Sequence, residues 1–158
     1  MISLRLMLVF ALAGLLATGC SQAQPSRDAA ANVAHAEPTP QTAKALVKDV
    51  SVAEFNRLLA ELDGALLLDV RTPEEWAEGH LEGAAHKDYW GDADFDDAMN
   101  SIPRDRPVLV YCAGGGRSGL TAQELHVAGH REVYNLADGI SGWIREGQPV
   151  VTGPPAPF

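Results

Sequence analysis

Apolar and polar positions divide the chain into three textures. Leu6 to Ala17 is an uncharged apolar run, residues 21–45 are dominated by Ala, Gln, Pro, Ser and Thr, and from Leu46 onward short apolar clusters alternate with polar breaks. In this last region Val47 and Val50 bracket a short strand. Ser51-Val52-Ala53-Glu54 reads as a capping box that opens a helix burying Phe55, Leu58, Leu59 and Leu62, with Asp63-Gly64 as its stop. Ala65 to Val70 has the near-continuous apolar pattern of a strand covered on both faces. Thr72 and Pro73 start a short helix as N-cap and first helical residue. A weaker strand near Ala84 to Lys87 is followed by an acidic segment, 92–99, and a breaker at Pro103. Pro107 to Tyr111 is the second strong buried strand and runs straight into Cys112-Ala113-Gly114-Gly115-Gly116-Arg117-Ser118. A helix is expected over Gly119 to Ala128, a strand over Val133 to Leu136 and a last short helix over Ile140 to Arg145. The proline-rich end, Gly153 to Phe158, continues neither element and is expected to fray. Strands alternating with helices predict an α/β fold: a central, mainly parallel sheet with helices on both faces.

The first two textures describe an address and a spacer. Leu6 to Ala17 falls well short of the ~20 residues that a membrane span needs, and Arg5 supplies the positive charge ahead of a signal-peptide core. Residues 21–45 lack the aromatic and branched side chains that offset ordering entropy, so they read as a flexible tether. The expected organisation is a signal peptide over 1–19, Cys20 and tether over 20–45, a folded domain over 46–147 and a C-terminal tail over 148–158.

A chain of 158 residues suits one core, and its 12 Lys and Arg against 21 Asp and Glu give a net charge of −9. Such a surface repels phosphate backbones, so nucleic acid is excluded as a partner. Only Cys20 and Cys112 are present, which rules out a disulfide scaffold and a four-thiolate metal site.

Chemistry concentrates at Cys112. A cysteine at the carboxyl end of a central strand, just before a helix, sits where open α/β sheets bind ligands. Gly114, Gly115 and Gly116 can gather backbone N–H groups into an anion-binding nest, the helix adds its positive end, and Arg117 adds a cation. Each favours thiolate over thiol, so Cys112 is a candidate nucleophile. The bland alternative is a small buried side chain ending a strand, with glycines making a turn. An unpaired thiol in an oxidising compartment argues for use. Asp69 and Arg71 end a neighbouring strand, as a structural ion pair or as contacts on the same rim, the former being preferred. Asp92 to Asp96 invites a calcium-loop comparison that fails, because Asp97 stands where Gly is needed and Pro103 where Glu is needed. His126 and His130 have the spacing of a metal pair but are separated by the helix-ending Gly129, with no third ligand, so no metal is expected. His80 reads as a turn residue with a hydrogen-bonded ring. Trp76, Trp90 and Trp143 read as packing residues.

Two resemblances complete the picture. Ala17-Thr18-Gly19-Cys20 resembles the lipobox of bacterial lipoproteins, with Ala17 where Leu is usual. The resemblance implies cleavage before Cys20 and its acylation, hence a membrane reached by lipid anchor only. With Ser21 following, it implies an outer-membrane lipoprotein on the periplasmic side of the cell envelope; a soluble periplasmic or secreted protein is the alternative. Residues 46–147 resemble a single rhodanese-type domain. The matches run through Asp69-Val70-Arg71 and Glu75, Gly79 to Ala84, Tyr111-Cys112, Gly116-Arg117-Ser118, Thr121-Ala122, Leu125, Gly129, Val133, Leu136, Gly139 and Trp143, with departures at Leu81, Glu82 and Asp138. The family includes sulfurtransferases, phosphatases, arsenate reductases and inactive modules. Four residues separate Cys112 from Arg117, where the phosphatase-type signature has five, so the resemblance implies a sulfurtransferase. On this reading the Cys112 thiolate takes the outer sulfur of thiosulfate or a persulfide, amides of Ala113 to Ser118 cradle the product, and Arg117 neutralises the donor. A thiophilic acceptor, a protein thiol among the candidates, then removes the sulfur. No metal or organic cofactor is implied, and the protein is expected to act as a monomer. The rival readings are a non-catalytic carrier module docking to an envelope protein and, less favoured, a phosphatase or arsenate reductase.

Overall fold

Two apolar runs are buried at every position, Leu66–Asp69 and Val108–Tyr111, and they pair side by side in parallel. The computed structural model describes residues 46–158; the signal segment, Cys20 and the tether lie outside the described residues. The strands are β1 (Leu46–Val50), β2 (Leu66–Asp69), β3 (Ala85–His86), β4 (Val108–Tyr111) and β5 (Glu132–Leu136), and the helices α1 (Val52–Glu61), α2 (Pro73–Glu78), α3 (Phe95–Ser101), α4 (Gly116–Val127) and α5 (Gly139–Arg145). The five strands form one parallel sheet in the order β1-β5-β4-β2-β3. Side chains alternate across it. Leu109 and Tyr111 face a core shared with α1, α2 and α5, whereas Val108, Val110 and Cys112 face one shared with α3 and α4. The chain leaves β2 toward β3 and β4 toward β5, in opposite directions, so a crevice opens at the carboxyl ends of β2 and β4. Cys112 stands there.

The rim is braced by a buried ion pair. Asp69 is wholly buried at the end of β2 and accepts from the Arg71 main chain, from Nε and, at 2.7 Å, from Nη2. Arg71 Nη2 also donates to the Gly79 carbonyl at 2.7 Å, tying β2 to the turn after α2. All of this guanidinium's strong partners are internal. These bonds are those of the structural ion pair, while Arg71 also lines the cleft described below.

Several elements differ from the pattern-based expectation. The acidic segment contains α3, whose Phe95 and Met99, four apart, are buried beneath a polar outer face. Helix α4 begins at Gly116, three residues earlier than expected, so Gly116, Arg117 and Ser118 form its first turn. At Ser51 the cap is half a box: its side chain accepts the Glu54 N–H, but the Glu54 carboxylate turns to Lys48 at 2.7 Å. The reciprocal box forms at Thr72 and Glu75 instead. Leu59 and Leu62 are only partly buried. The C-terminal tail does not fray. Val151 makes an antiparallel bridge with His80, Trp76 Nε1 donates to the Gly153 carbonyl at 3.1 Å, and the Ala156 N–H donates to the Ala84 carbonyl at 2.9 Å. Trp76 and Trp143 are buried as expected, but Trp90 is 73% exposed.

Replacing Asp69 by Ala leaves the Arg71 guanidinium buried without its counter-charge. The expected loss is about 3–5 kcal/mol of unfolding free energy in a urea titration.

Candidate active site

Cys112 follows β4 directly and is 2% exposed. Burial is the largest influence on its thiol and pushes the pKa up. Opposing it, the Ser118 hydroxyl donates to Sγ at 3.4 Å, and the nearby main-chain N–H groups of Ser118, Gly114 and Gly115 draw the pKa down. The donors win, and the thiol lies below its ordinary range.

Helix α5 holds the outside of this loop. The Ile140 and Ser141 N–H groups donate to the carbonyls of Cys112 and Ala113 at 2.8 and 3.0 Å. A trans peptide points its C=O and N–H in opposite directions, so anchoring the Ala113 carbonyl to α5 turns the Gly114 N–H toward the sulfur. The approach is too close for side chains. A Cβ on Gly139 would lie 2.4 Å from the Cys112 carbonyl oxygen, and one on Gly115, which has φ +89°, would lie 1.9 Å from the Ala137 oxygen. On the β5 side, Asn135 Nδ2 donates to the Gly115 carbonyl at 3.2 Å and to Asp49 at 2.7 Å.

Arg117 interacts both with the Cys112 sulfur and with helix α2. From the first turn of α4 its Nη1 and Nη2 each donate to Glu75 at 2.7 Å, and the guanidinium lies 4.8 Å from the centre of the exposed Trp90 ring. The Arg117 hydrogen bonds pull the Glu75 pKa down to about 2, assisted by the Thr72 N–H. Its charge is thus shared between Glu75 on α2 and the Cys112 sulfur.

The structure thus gathers Cys112, Ala113, Gly114, Gly115, Gly116, Arg117 and Ser118 at one point, with Asp69 and Arg71 beneath the rim. It adds Glu75, Trp90, Asn135 and the start of α5. Glu75 was visible only as a family match, and nothing in the pattern marked Trp90 or Asn135 as neighbours of the loop. The histidines do not join the site: His80 stacks on Trp76 at 3.5 Å, His126 is exposed, and buried His130 contacts Arg104. Among the described residues no three His, Cys, Asp or Glu side chains converge as metal ligands. Beside the loop lies a cleft of about 190 Å³, lined by Glu75, Glu78, Gly79, Ala113, Ile140, Ser141, Ile144 and Val150 over Arg71. Two further hollows adjoin Asp96 and Glu124, and no loop residue lines either.

Residues 51–146 match the model of the rhodanese-like domain family. A protein named sulfurtransferase from Allochromatium vinosum is 34% identical over 106 residues, covering 67% of this chain and 96% of the relative. The thiosulfate sulfurtransferase GlpE of Pseudomonas entomophila is 34% identical over 98 residues, 58% of this chain and 87% of its own length. Among solved structures, a rhodanese-related protein from Thermoplasma volcanium superposes with a TM-score of 0.58 at 26% identity, covering 67% of this chain and 99% of that one.

Two outcomes follow from the geometry. Ser118→Ala removes one donor to sulfur, so the midpoint of iodoacetamide alkylation against pH is expected to move upward from its wild-type position. Glu75 is held below its ordinary 4.5, so its link to Arg117 stabilises the fold above that value and is lost as pH falls toward about 2. In urea titrations the stability gap between wild type and Glu75→Gln should be constant from pH 7 to about 5 and should close across the window below.

Proposed function

The chain belongs to the rhodanese-like family, and we propose that it is a sulfurtransferase carrying sulfane sulfur from thiosulfate or a persulfide donor to a thiophilic acceptor as a Cys112 persulfide. The observation that carries this reading is the buried Cys112 thiol at the carboxyl end of β4, followed by the glycine loop and hydrogen-bonded by the Ser118 hydroxyl at 3.4 Å from the first turn of α4. In loading, the Cys112 thiolate attacks the outer sulfur of the donor and a new S–S bond forms. The donor's own bond to that sulfur breaks, and its electron pair leaves with sulfite or with the donor thiolate. In delivery, an acceptor thiolate attacks the outer sulfur, and the Cys112–sulfur bond breaks to regenerate the Cys112 thiolate. Fixed N–H dipoles suit both halves, because the anion moves by one atom and never disappears. Arg117 fixes the first turn of α4 against α2 through Glu75, which keeps the Ser118 hydroxyl aimed at sulfur, and its positive charge also favours the anionic sulfur of Cys112.

The short Cys112–Arg117 spacing favours a small sulfur atom over a tetrahedral oxyanion, which supports sulfur transfer above phosphatase or arsenate reductase chemistry. The proposal extends to placement: Cys20 is acylated, and the domain works at the periplasmic side of the envelope as an outer-membrane lipoprotein. The sequence motif supports this. No helix among the described residues is long and apolar enough to cross a membrane.

Incubation of the reduced protein with millimolar thiosulfate should give an adduct of about 32 Da by intact mass, removed by dithiothreitol and missing from Cys112→Ser. An adduct that persists in Cys112→Ser, or none on wild type, rejects the proposal.

A further inference from the structure

Trp90 leaves 73% of its surface in water, yet the turn that carries it is closely tied. Buried Asp88 accepts the Trp90 N–H on Oδ1 at 3.0 Å, and the Asp88 N–H donates to Asp92 Oδ2 at 2.9 Å. A Cβ on Gly91 would lie 2.5 Å from Asp88 Oδ2, so a glycine lets the turn close. The preceding Tyr89 is committed inward: its N–H donates to the Val70 carbonyl at 3.4 Å, its ring meets Phe95 edge-on at 5.3 Å, and its hydroxyl donates to Glu124 on α4 at 2.9 Å. With the turn so fixed, the next side chain is presented to the start of α4, where the Arg117 guanidinium lies 4.8 Å from the centre of the Trp90 ring. Core packing does not account for a ring this exposed.

Arg117 is drawn in three directions. From α2, Glu75 takes both Nη groups at 2.7 Å, with Arg71 acting on Glu75 in turn; from the end of β4, the Cys112 sulfur attracts the same charge; and from the 88–92 turn comes the uncharged indole. The Arg117 side chain is only 11% exposed in spite of its place at the edge of the site. An aromatic face within about 6 Å attracts a guanidinium and keeps water off it. Water in that position would screen the pull of the cation on sulfur, because a Coulomb interaction weakens as the local dielectric rises.

We propose that Trp90 is a positioning residue for the reaction at Cys112: its ring holds the Arg117 guanidinium in place beside the sulfur and shields it from water. The inference deepens the sulfurtransferase reading and rests on it for the use made of the sulfur anion. Trp90 acts through Arg117 and needs no contact with the reacting atoms. Its π face is the operative feature, so another aromatic ring can stand in for it and an aliphatic side chain of similar reach cannot.

The test compares the full reduced chain with Trp90→Leu, Trp90→Phe, Arg117→Gln and the Trp90→Leu/Arg117→Gln double variant. Each is alkylated briefly with iodoacetamide across a pH series, and modification is read on the peptide that contains Cys112. Trp90→Leu is expected to raise the alkylation midpoint by about half a pH unit, which is about threefold less thiolate at a fixed pH below it. Trp90→Phe should move the midpoint less than half as far. In the Arg117→Gln background the Leu substitution should add no further shift. Urea midpoints of the Trp90 variants should stay near wild type, because the ring is exposed. A midpoint unmoved by Trp90→Leu, equal shifts for Leu and Phe, or the same Leu shift without Arg117 overturns the inference. Alkylation needs no sulfur donor, so these outcomes leave the sulfurtransferase reading standing. Failure of wild type to take up sulfur from thiosulfate overturns that reading and, with it, the role given to Trp90 in sulfur transfer.

Discussion

A sulfur that must carry negative charge in a buried position needs compensation, and here main-chain dipoles supply it. Cys112 is almost wholly removed from solvent, and the Ser118 hydroxyl together with the nearby N–H groups of Gly114, Gly115 and Ser118 favours its charged form. Dipoles of this kind are effective only if they cannot turn away, which explains the traffic behind the loop. The first N–H groups of α5 grip two carbonyls, Asn135 grips a third, and glycines stand where a Cβ would collide with neighbouring backbone. The orientation of three or four peptide planes is thus set by elements from the far end of the sequence.

Ion pairs do a related job at longer range. Asp69 with Arg71 joins β2 to the turn after α2, and Glu75 with Arg117 joins α2 to the start of α4. Helix α2, only six residues long, is held at both ends by these links and by its full capping box. The C-terminal tail adds a third hold through Trp76 and His80. The short helix therefore works as a connecting plate between sheet, loop and tail. Through Glu75 it also fixes the position of the Arg117 guanidinium, whose charge bears on the Cys112 sulfur.

Local pattern carried much of this. The buried strands β2 and β4, the strand-to-helix position of Cys112 and the layered α/β arrangement were legible, because continuous apolar runs and glycine punctuation are local signals. The Asp69–Arg71 pairing could be anticipated from two residues of one strand end. What could not be read depended on distance along the chain. Glu75 and Arg117 are separated by 42 residues, and the carbonyl anchors of α5 involve backbone, which leaves little trace in side-chain identity. Helix α3 was hidden because only two of its positions face the core and its acidic residues dominated the pattern. The tail was misjudged for another reason: prolines exclude helix, yet an irregular segment can still exchange hydrogen bonds with the backbone of Ala84 and His80.

The parallel sheet also gives the domain a polarity. Every strand begins at the same end, so Leu46, where β1 starts, lies at the pole opposite the loop that follows β4. Five residues of β1 span about 17 Å, at roughly 3.3 Å each, and the reacting sulfur lies beyond the other end of that layer. The chain thus enters the described domain at the pole opposite the loop that carries Cys112, and strand direction alone sets that separation.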